Sequence, residues 1–350
     1  MKYYLKEEFL HDVNAKNAGN KARNDVESIV KEEGYHPLVL SVDNWYQMST
    51  LAAQRHKAKA FGQALDQLKQ GDELLIQFPM LHHSFFSTQL VKKAQKRGIK
   101  VYLLIHDLEV LRHANMTSLP LKHRIRMYLQ EASFLKAADG IIAHNPVMKS
   151  VLVDKGIAED KIVSLGIFDY LIPNFQEKTG LTKNQPIIVA GNLAQEKAGY
   201  LYALPAEPAY NLYGVGFDES RALENETYFG SFLPDELPAA LEGGFGLVWD
   251  GDSAGTCSGV FGEYLRYNNS HKASLYLASG FPLVVWKQSA LSHFVLEKGC
   301  GIAVESLHDL KETIDNLSDA DYQTLVDNAK RVGQEIRDGH YLKTALKHLS

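Results

Sequence analysis

The chain has 350 residues, 45% hydrophobic and 23% charged, the make-up of a globular protein long enough for two domains. A formal net charge of −5 excludes a nucleic-acid binder whose affinity rests on overall basic charge. Cys257 and Cys300 have no CxxC spacing and suggest neither a zinc site nor a disulfide framework, and no apolar run approaches the ~18 residues that span a membrane.

In chain order, Lys2–Leu5 predicts a short first strand, inside an amino terminus (MKYYLKEEFLHD) too charged to be a signal peptide. A cytoplasmic protein, with at most peripheral membrane contact, is the expectation. A polar loop through Asp12, Asn14, Asn17, Gly19 and Asn20 follows, long for a strand-to-helix connection. Val26, Ile29 and Val30 give helical spacing up to Gly34, and His36–Val42 reads as a second strand. Phe61, Leu65 and Leu68 mark a helix ending at Gly71, then Glu73–Phe78 a strand, Leu90, Val91 and Ala94 a helix, and Val101–Ile105 a strand. Arg124–Ala137 predicts a longer helix, Gly140–Ala143 a strand, and Pro146 opens another helix. Alternation of this kind means a parallel sheet with right-handed crossovers.

The pattern breaks at Gly166–Pro173 and resumes with Pro186–Ala190, Tyr210–Val215, Phe245–Trp249, Phe281–Trp286 and Ile302–Val304 as strands. Helical spacing at Leu310, Ile314 and Leu317, then Tyr322, Leu325 and Val326, precedes a last helix over about 341–349. Two doubly wound α/β domains are expected, residues 1–170 and 171–335, with 336–350 as a terminal helix. Ligands of open parallel sheets bind at the carboxyl ends of the strands, so the expected site lies in a cleft where two such ends face each other.

The polar residues at those ends are the candidates. Besides the first loop they are Gln77 with His82 and His83, His106-Asp107, His144-Asn145, Gly191-Asn192 through Lys197, Asp250 to Asp252, and Asn269-Ser270-His271-Lys272. The last group opens a helix that Asn269 or Ser270 can cap and Gly280 can close. A helix start offers N–H groups and a positive dipole end to an anion, and Lys272 adds a full charge there. Asp250-Gly251-Asp252 is a DxD, by which one class of transferases holds a divalent cation; Asp and Gly also suit a plain turn. His82, His83, His106 and His144 lack the spacing of a zinc site, and Cys257 reads as a loop residue rather than a nucleophile. The basic stretch KHRIRM (122–127) is either a solvated helix face or a contact for anionic lipid.

Several motifs, in order, resemble one family of bacterial glycosyltransferases: IQFPM (76–80), LLIHDLEVLR (103–112), GGFGLVWDGD (243–252), YNNSHKASLYLASGFPLVVW (267–286) and the tail from Ser306. It is the galactofuranosyltransferase-like family, related to the glucosyltransferase that extends O-linked GlcNAc on streptococcal serine-rich adhesins. The resemblance implies the GT-B fold, a terminal helix returning to the first domain, a nucleotide diphosphate held mostly by the second domain, and an acceptor on the first. It further implies homo-oligomers.

By the same resemblance, Lys272 matches the lysine that meets the diphosphate, and Lys197 a basic residue after the Gly191-Asn192 turn. Asn269, Ser270 and His271 share the helix start, and the loop carrying Asn17, Gly19 and Asn20 approaches the donor. A metal-independent transferase must neutralise the leaving UDP with fixed positive groups. If the reaction inverts, a base must take the acceptor hydroxyl proton, with Asp107 the first candidate, then Asp12 and His106. The donor is expected to be UDP-galactofuranose or UDP-glucose and the acceptor a glycan, lipid-linked saccharide or glycoprotein. The rival readings are a non-catalytic sugar-nucleotide-binding partner of a transferase complex and a GT-B-like UDP-sugar epimerase.

Overall fold

The computed structural model describes residues 1–8, 18–43, 45–113 and 121–349. They form two compact units. One comprises the described residues between 23 and 165 together with 1–8 and 342–349, the other 18–22 and 166–341.

The first unit contains β1 (Lys2–Glu8), α1 (Ala18–Glu32) from residue 23 onward, β2 (His36–Ser41), α2 (Thr50–Leu65), β3 (Glu73–Phe78), α3 (Ser87–Lys96), β4 (Lys100–Ile105), α4 (Glu109–Arg112), α5 (Leu121–Ala137), β5 (Gly140–Ala143), α6 (Pro146–Asp154) and β6 (Ile162–Ser164). Its sheet runs β2-β1-β3-β4-β5-β6, parallel throughout. The central strands are continuous apolar runs because both faces are covered: Leu74, Ile76, Val101, Leu103 and Ile105 are fully buried. Only the β1-to-β2 connection runs toward the β2 edge, so right-handed crossovers put α1 on one face and α2, α3, α5 and α6 on the other. There α2 packs on α3 and α3 on α5.

The second unit contains β7 (Ile187–Asn192), α7 (Gln195–Ala198), β8 (Tyr210–Val215), β9 (Glu226–Tyr228), α8 (Leu237–Ala240), β10 (Phe245–Val248), α9 (Gly259–Tyr264), α10 (His271–Ala278), β11 (Leu283–Trp286), α11 (Leu291–Lys298), β12 (Gly301–Val304), α12 (Leu310–Asp315) and α13 (Asp319–Arg337). Its parallel sheet has the order β12-β11-β10-β7-β8-β9. The last helix, α14 (His340–Leu349), lies from residue 342 onward with the first unit. There Lys343 pairs with Glu32 of α1 at 3.1 Å. No helix among the described residues is long and apolar enough to cross a membrane.

Strand order reverses once in each sheet, between β1 and β3 and between β7 and β10. Such switch points open a crevice at the carboxyl ends of the strands. The second crevice depends on how α10 seats. The Tyr276 ring lies over Gly246 of β10, where an added Cβ would come within 2.2 Å of its Cγ, and its hydroxyl accepts the Ala190 N–H of β7 at 2.7 Å. Gly246→Ala should therefore lift α10 off the sheet and cost about 1–3 kcal/mol, as overpacking does. Urea unfolding followed by the fluorescence of buried Trp249 and Trp286 would measure it. An unchanged midpoint would contradict the account.

Candidate active site

At the second unit's switch point the chain brings together the end of β7, the turn after β10 and the start of α10. Ser270 caps α10 by accepting the Lys272 N–H at 3.4 Å. Lys272 then points inward, its side chain only 10% exposed, and its Nζ donates to Asp250 Oδ1 at 2.8 Å and to the Trp249 carbonyl at 3.2 Å. Desolvating an ammonium at a helix start, against the dipole, needs an opposing charge, and buried Asp250 supplies it. Gly191 ends β7 at φ +124°, and a Cβ there would lie 3.5 Å from Lys272 Cε. Beside it Gly214 (φ +149°) lets β8 approach so closely that a Cβ would sit 1.8 Å from the Gly191 oxygen. Backbone at two strand ends thus stays bare around the lysine.

Lys197 stands on α7, which packs on the Asp250–Asp252 turn: its carbonyl accepts the Gly251 N–H at 2.8 Å, and its ammonium lies 5.2 Å from the Phe261 ring centroid. Asn192 is exposed and accepts the Ala194 N–H at 2.9 Å, making the turn into α7. Asn269 is buried, its amide donating to the Gly166 carbonyl at 2.7 Å, and the His271 ring lies 4.3 Å from that of Phe168. Gly191, Lys272, Lys197 and Ser270 therefore share one neighbourhood, while Asn269 and His271 anchor the helix start to the segment at 166–168. The two carboxylates of the DxD have separate partners, Lys272 for Asp250 and the Ser258 hydroxyl for Asp252. Burial pushes the Cys257 thiol far up, which removes it as a nucleophile.

In the first unit the switch point carries a network that sequence reasoning missed in part. Glu7, near the end of β1, is nearly buried and accepts the backbone N–H groups of Leu81 (3.0 Å) and His82 (2.7 Å). Burial pushes its carboxyl up, against the pull of those donors and of Arg23. Arg23 donates to the Pro79 carbonyl at 2.5 Å, and Gln77 donates from Nε2 to the Arg23 carbonyl at 3.3 Å. That bond turns Gln77 Oε1 toward His106 Nε2, 2.7 Å away, where it can accept the ring N–H. Asp107 does not cap α4, whose N-cap is Leu108; its carboxylate pairs with Arg112 at 2.5 Å. Burial holds His83 down at about 4 and His144 at about 3, so both are neutral. Asn20 is half-buried in the first turn of α1, which also contains Gly19; Asp12, Asn14 and Asn17 lie outside the described residues. Glu7 was detectable only as an acid at the carboxyl end of a strand, and the sequence pattern ended that strand too early.

Two doubly wound parallel units in one chain, each with its switch point at the carboxyl ends of the strands, have the architecture of the GT-B fold. The chain belongs to the Glucosyltransferase 3-like family, whose amino-terminal domain matches residues 2–167 and whose carboxyl-terminal domain matches 187–349. It is 33% identical to the beta-1,6-galactofuranosyltransferase WbbI of Escherichia coli K12, over 97% of each chain. Glucosyltransferase 3 of Streptococcus gordonii is 25% identical over 93% of this chain and 92% of its own. Among solved structures, HepE of Anabaena in complex with UDP-glucose superposes with a TM-score of 0.55 at 11% identity, covering 99% of this chain and 98% of its own.

Two predictions follow from the charges. Lys272→Ala leaves Asp250 buried opposite no charge and should cost about 3–5 kcal/mol in urea unfolding, while Lys272→Met with Asp250→Leu should recover most of it. Equal losses in the single and double variants would contradict a buried pair. In the first unit, Glu131 accepts the Glu109 N–H at 2.9 Å at the start of α4, and burial raises its carboxyl to about 7. The folded chain holds this proton longer than the unfolded one. Its contribution to stability is therefore full at low pH and is lost as pH rises from the ordinary carboxylate range through about 7. Glu131→Gln should flatten that decline in thermal melts across the range.

Proposed function

We propose that this glycosyltransferase moves a hexose, galactofuranose or glucose, from a UDP-sugar to a saccharide acceptor in the assembly of a bacterial surface glycan or glycoprotein. The observation that carries the reading is the full-length likeness to a galactofuranosyltransferase, combined with a lysine at a capped helix start on a switch point. A leaving diphosphate needs fixed positive groups aimed at its oxygens. In this reading Lys272 leaves Asp250 for the diphosphate, α10 adds its dipole, and bare backbone at Gly191 lets the phosphates come close. Lys197, Asn192, Ser270 and His271 complete the donor site, with Asn269 holding the helix start and Asn17, Gly19 and Asn20 as further donor-binding residues. The transfer is expected to need no metal ion, since the fixed positive groups take up the charge of the leaving diphosphate.

His106 is the favoured general base. Gln77 orients its ring through Nε2, and an imidazole is the commonest side chain for taking a hydroxyl proton, whereas the Asp107 carboxylate faces a guanidinium. Asp12, second in the sequence reading, lies outside the described residues. The acceptor is a glycan, lipid-linked saccharide or glycoprotein, and the protein works in the cytoplasm as a homo-oligomer with peripheral membrane contact.

The test is UDP release from a panel of UDP-hexoses with a saccharide acceptor, in EDTA. UDP-galactofuranose or UDP-glucose should be consumed, and His106→Ala should lower kcat by at least about a hundred-fold with KM for the donor little changed. Conversion of UDP-GlcNAc without an acceptor would point to an epimerase, and no turnover with any donor would sink the proposal.

A further inference from the structure

We propose that Tyr200 is a positioning residue, whose hydroxyl becomes the partner of Asp250 when Lys272 turns from that carboxylate to the diphosphate. The inference rests on the donor-site reading above and adds the group that makes the exchange feasible. Tyr200 lies in the short 3-10 turn that follows α7, Gly199–Ala203, with its side chain fully buried. Its N–H donates to the Gly251 carbonyl at 3.1 Å, and the Lys197 carbonyl accepts the Gly251 N–H at 2.8 Å. Two backbone bonds thus tie the turn to Asp250-Gly251-Asp252. A Cβ on Gly199 would come 3.2 Å from the Asp252 Cα, which measures how closely the two segments pack.

In this packed place the Tyr200 hydroxyl has no hydrogen-bond partner among the described residues. Other buried tyrosines of the unit use theirs: Tyr276 accepts the Ala190 N–H at 2.7 Å, and Tyr322 donates to the Gly244 carbonyl at 2.7 Å. Tyr210, also without a partner among the described residues, opens β8 at its amino-terminal end. A buried hydroxyl that makes no bond costs stability, and one beside a functional turn calls for a use. Burial pushes the Tyr200 phenol far up, and Asp250 adds to the shift more than any other neighbour, so Tyr200 keeps its proton as a neutral donor. Asp250, itself buried, accepts from Lys272 at 2.8 Å. Drawing the ammonium to a diphosphate leaves that carboxylate in a dry pocket, close to further negative charge. A neutral O–H on the adjoining turn answers this without adding a cation that would compete for the phosphates. It serves Asp250 only once the lysine has gone.

Tyr200→Phe removes the hydroxyl alone. Urea unfolding of wild type, Tyr200→Phe, Lys272→Met and the double variant tests the exchange without any ligand. In the wild-type background the substitution deletes a donor that has no partner, so stability should be unchanged or raised. In the Lys272→Met background Asp250 has Tyr200 to turn to, and the same substitution should shift the unfolding equilibrium at least about ten-fold toward the unfolded chain. UDP titration in EDTA should then show Tyr200→Phe binding at least about ten-fold more weakly than wild type. A merely structural hydroxyl would lose stability in both backgrounds instead. Equal effects of Tyr200→Phe in the two backgrounds, or UDP binding as tight as in wild type, would overturn this inference and leave the donor site standing. No UDP binding by the wild-type chain would overturn the donor site, and this inference with it.

Discussion

Lys272 occupies a place that opposes it twice, a first helical turn where the dipole repels cations and a pocket that strips its water. It is tolerated because Asp250 answers both costs from the turn after β10, and because Gly191 and Gly214 let two strand ends close around it without side chains. A structural ion pair could have been replaced by apolar residues at little cost to stability. In the proposed function, the lysine held at this helix start is the cation handed to an arriving phosphate. The geometry at the end of β7, the seating of Tyr276 on Gly246 and the capping by Ser270 all keep that ammonium in position.

The first unit uses its switch point differently. There the charges are locked into backbone: Glu7 holds the loop after β3, Arg23 holds the Pro79 carbonyl, and Gln77 links both to His106. Fixed backbone with one oriented imidazole suits proton transfer more than anion binding. The two crevices thus differ in chemistry, a cation with a helix dipole in one and an imidazole held by Gln77 in the other.

Much of the fold was legible because parallel strands buried on both faces announce themselves as apolar runs. Glu73–Phe78, Gly140–Ala143 and Tyr210–Val215 have the boundaries that their composition implies. The two edge strands Ile162–Ser164 and Glu226–Tyr228 were not legible, since three residues with one open side carry no pattern. The length of α2 was hidden for a related reason: Arg55, His56 and Lys59 interrupt the apolar spacing over its first half. At the site, the capped start of α10 with Lys272 in its first turn could be read from NNSHK beside a strand. Its pairing with Asp250 could not, because the two residues meet only through the packing of α10 against β10. The same holds for Glu7 and Gln77, whose partners lie on other strands.

The most direct test of the central claim is isothermal titration of UDP into the wild-type chain and into Lys272→Ala, with EDTA throughout and folding of the variant checked by its near-ultraviolet circular dichroism. Wild type should bind without metal, and the variant about ten- to a hundred-fold more weakly, the loss expected for a hydrogen bond to a charged group. Binding that needs added Mn²⁺, or that is as tight in a folded Lys272→Ala as in wild type, would contradict it.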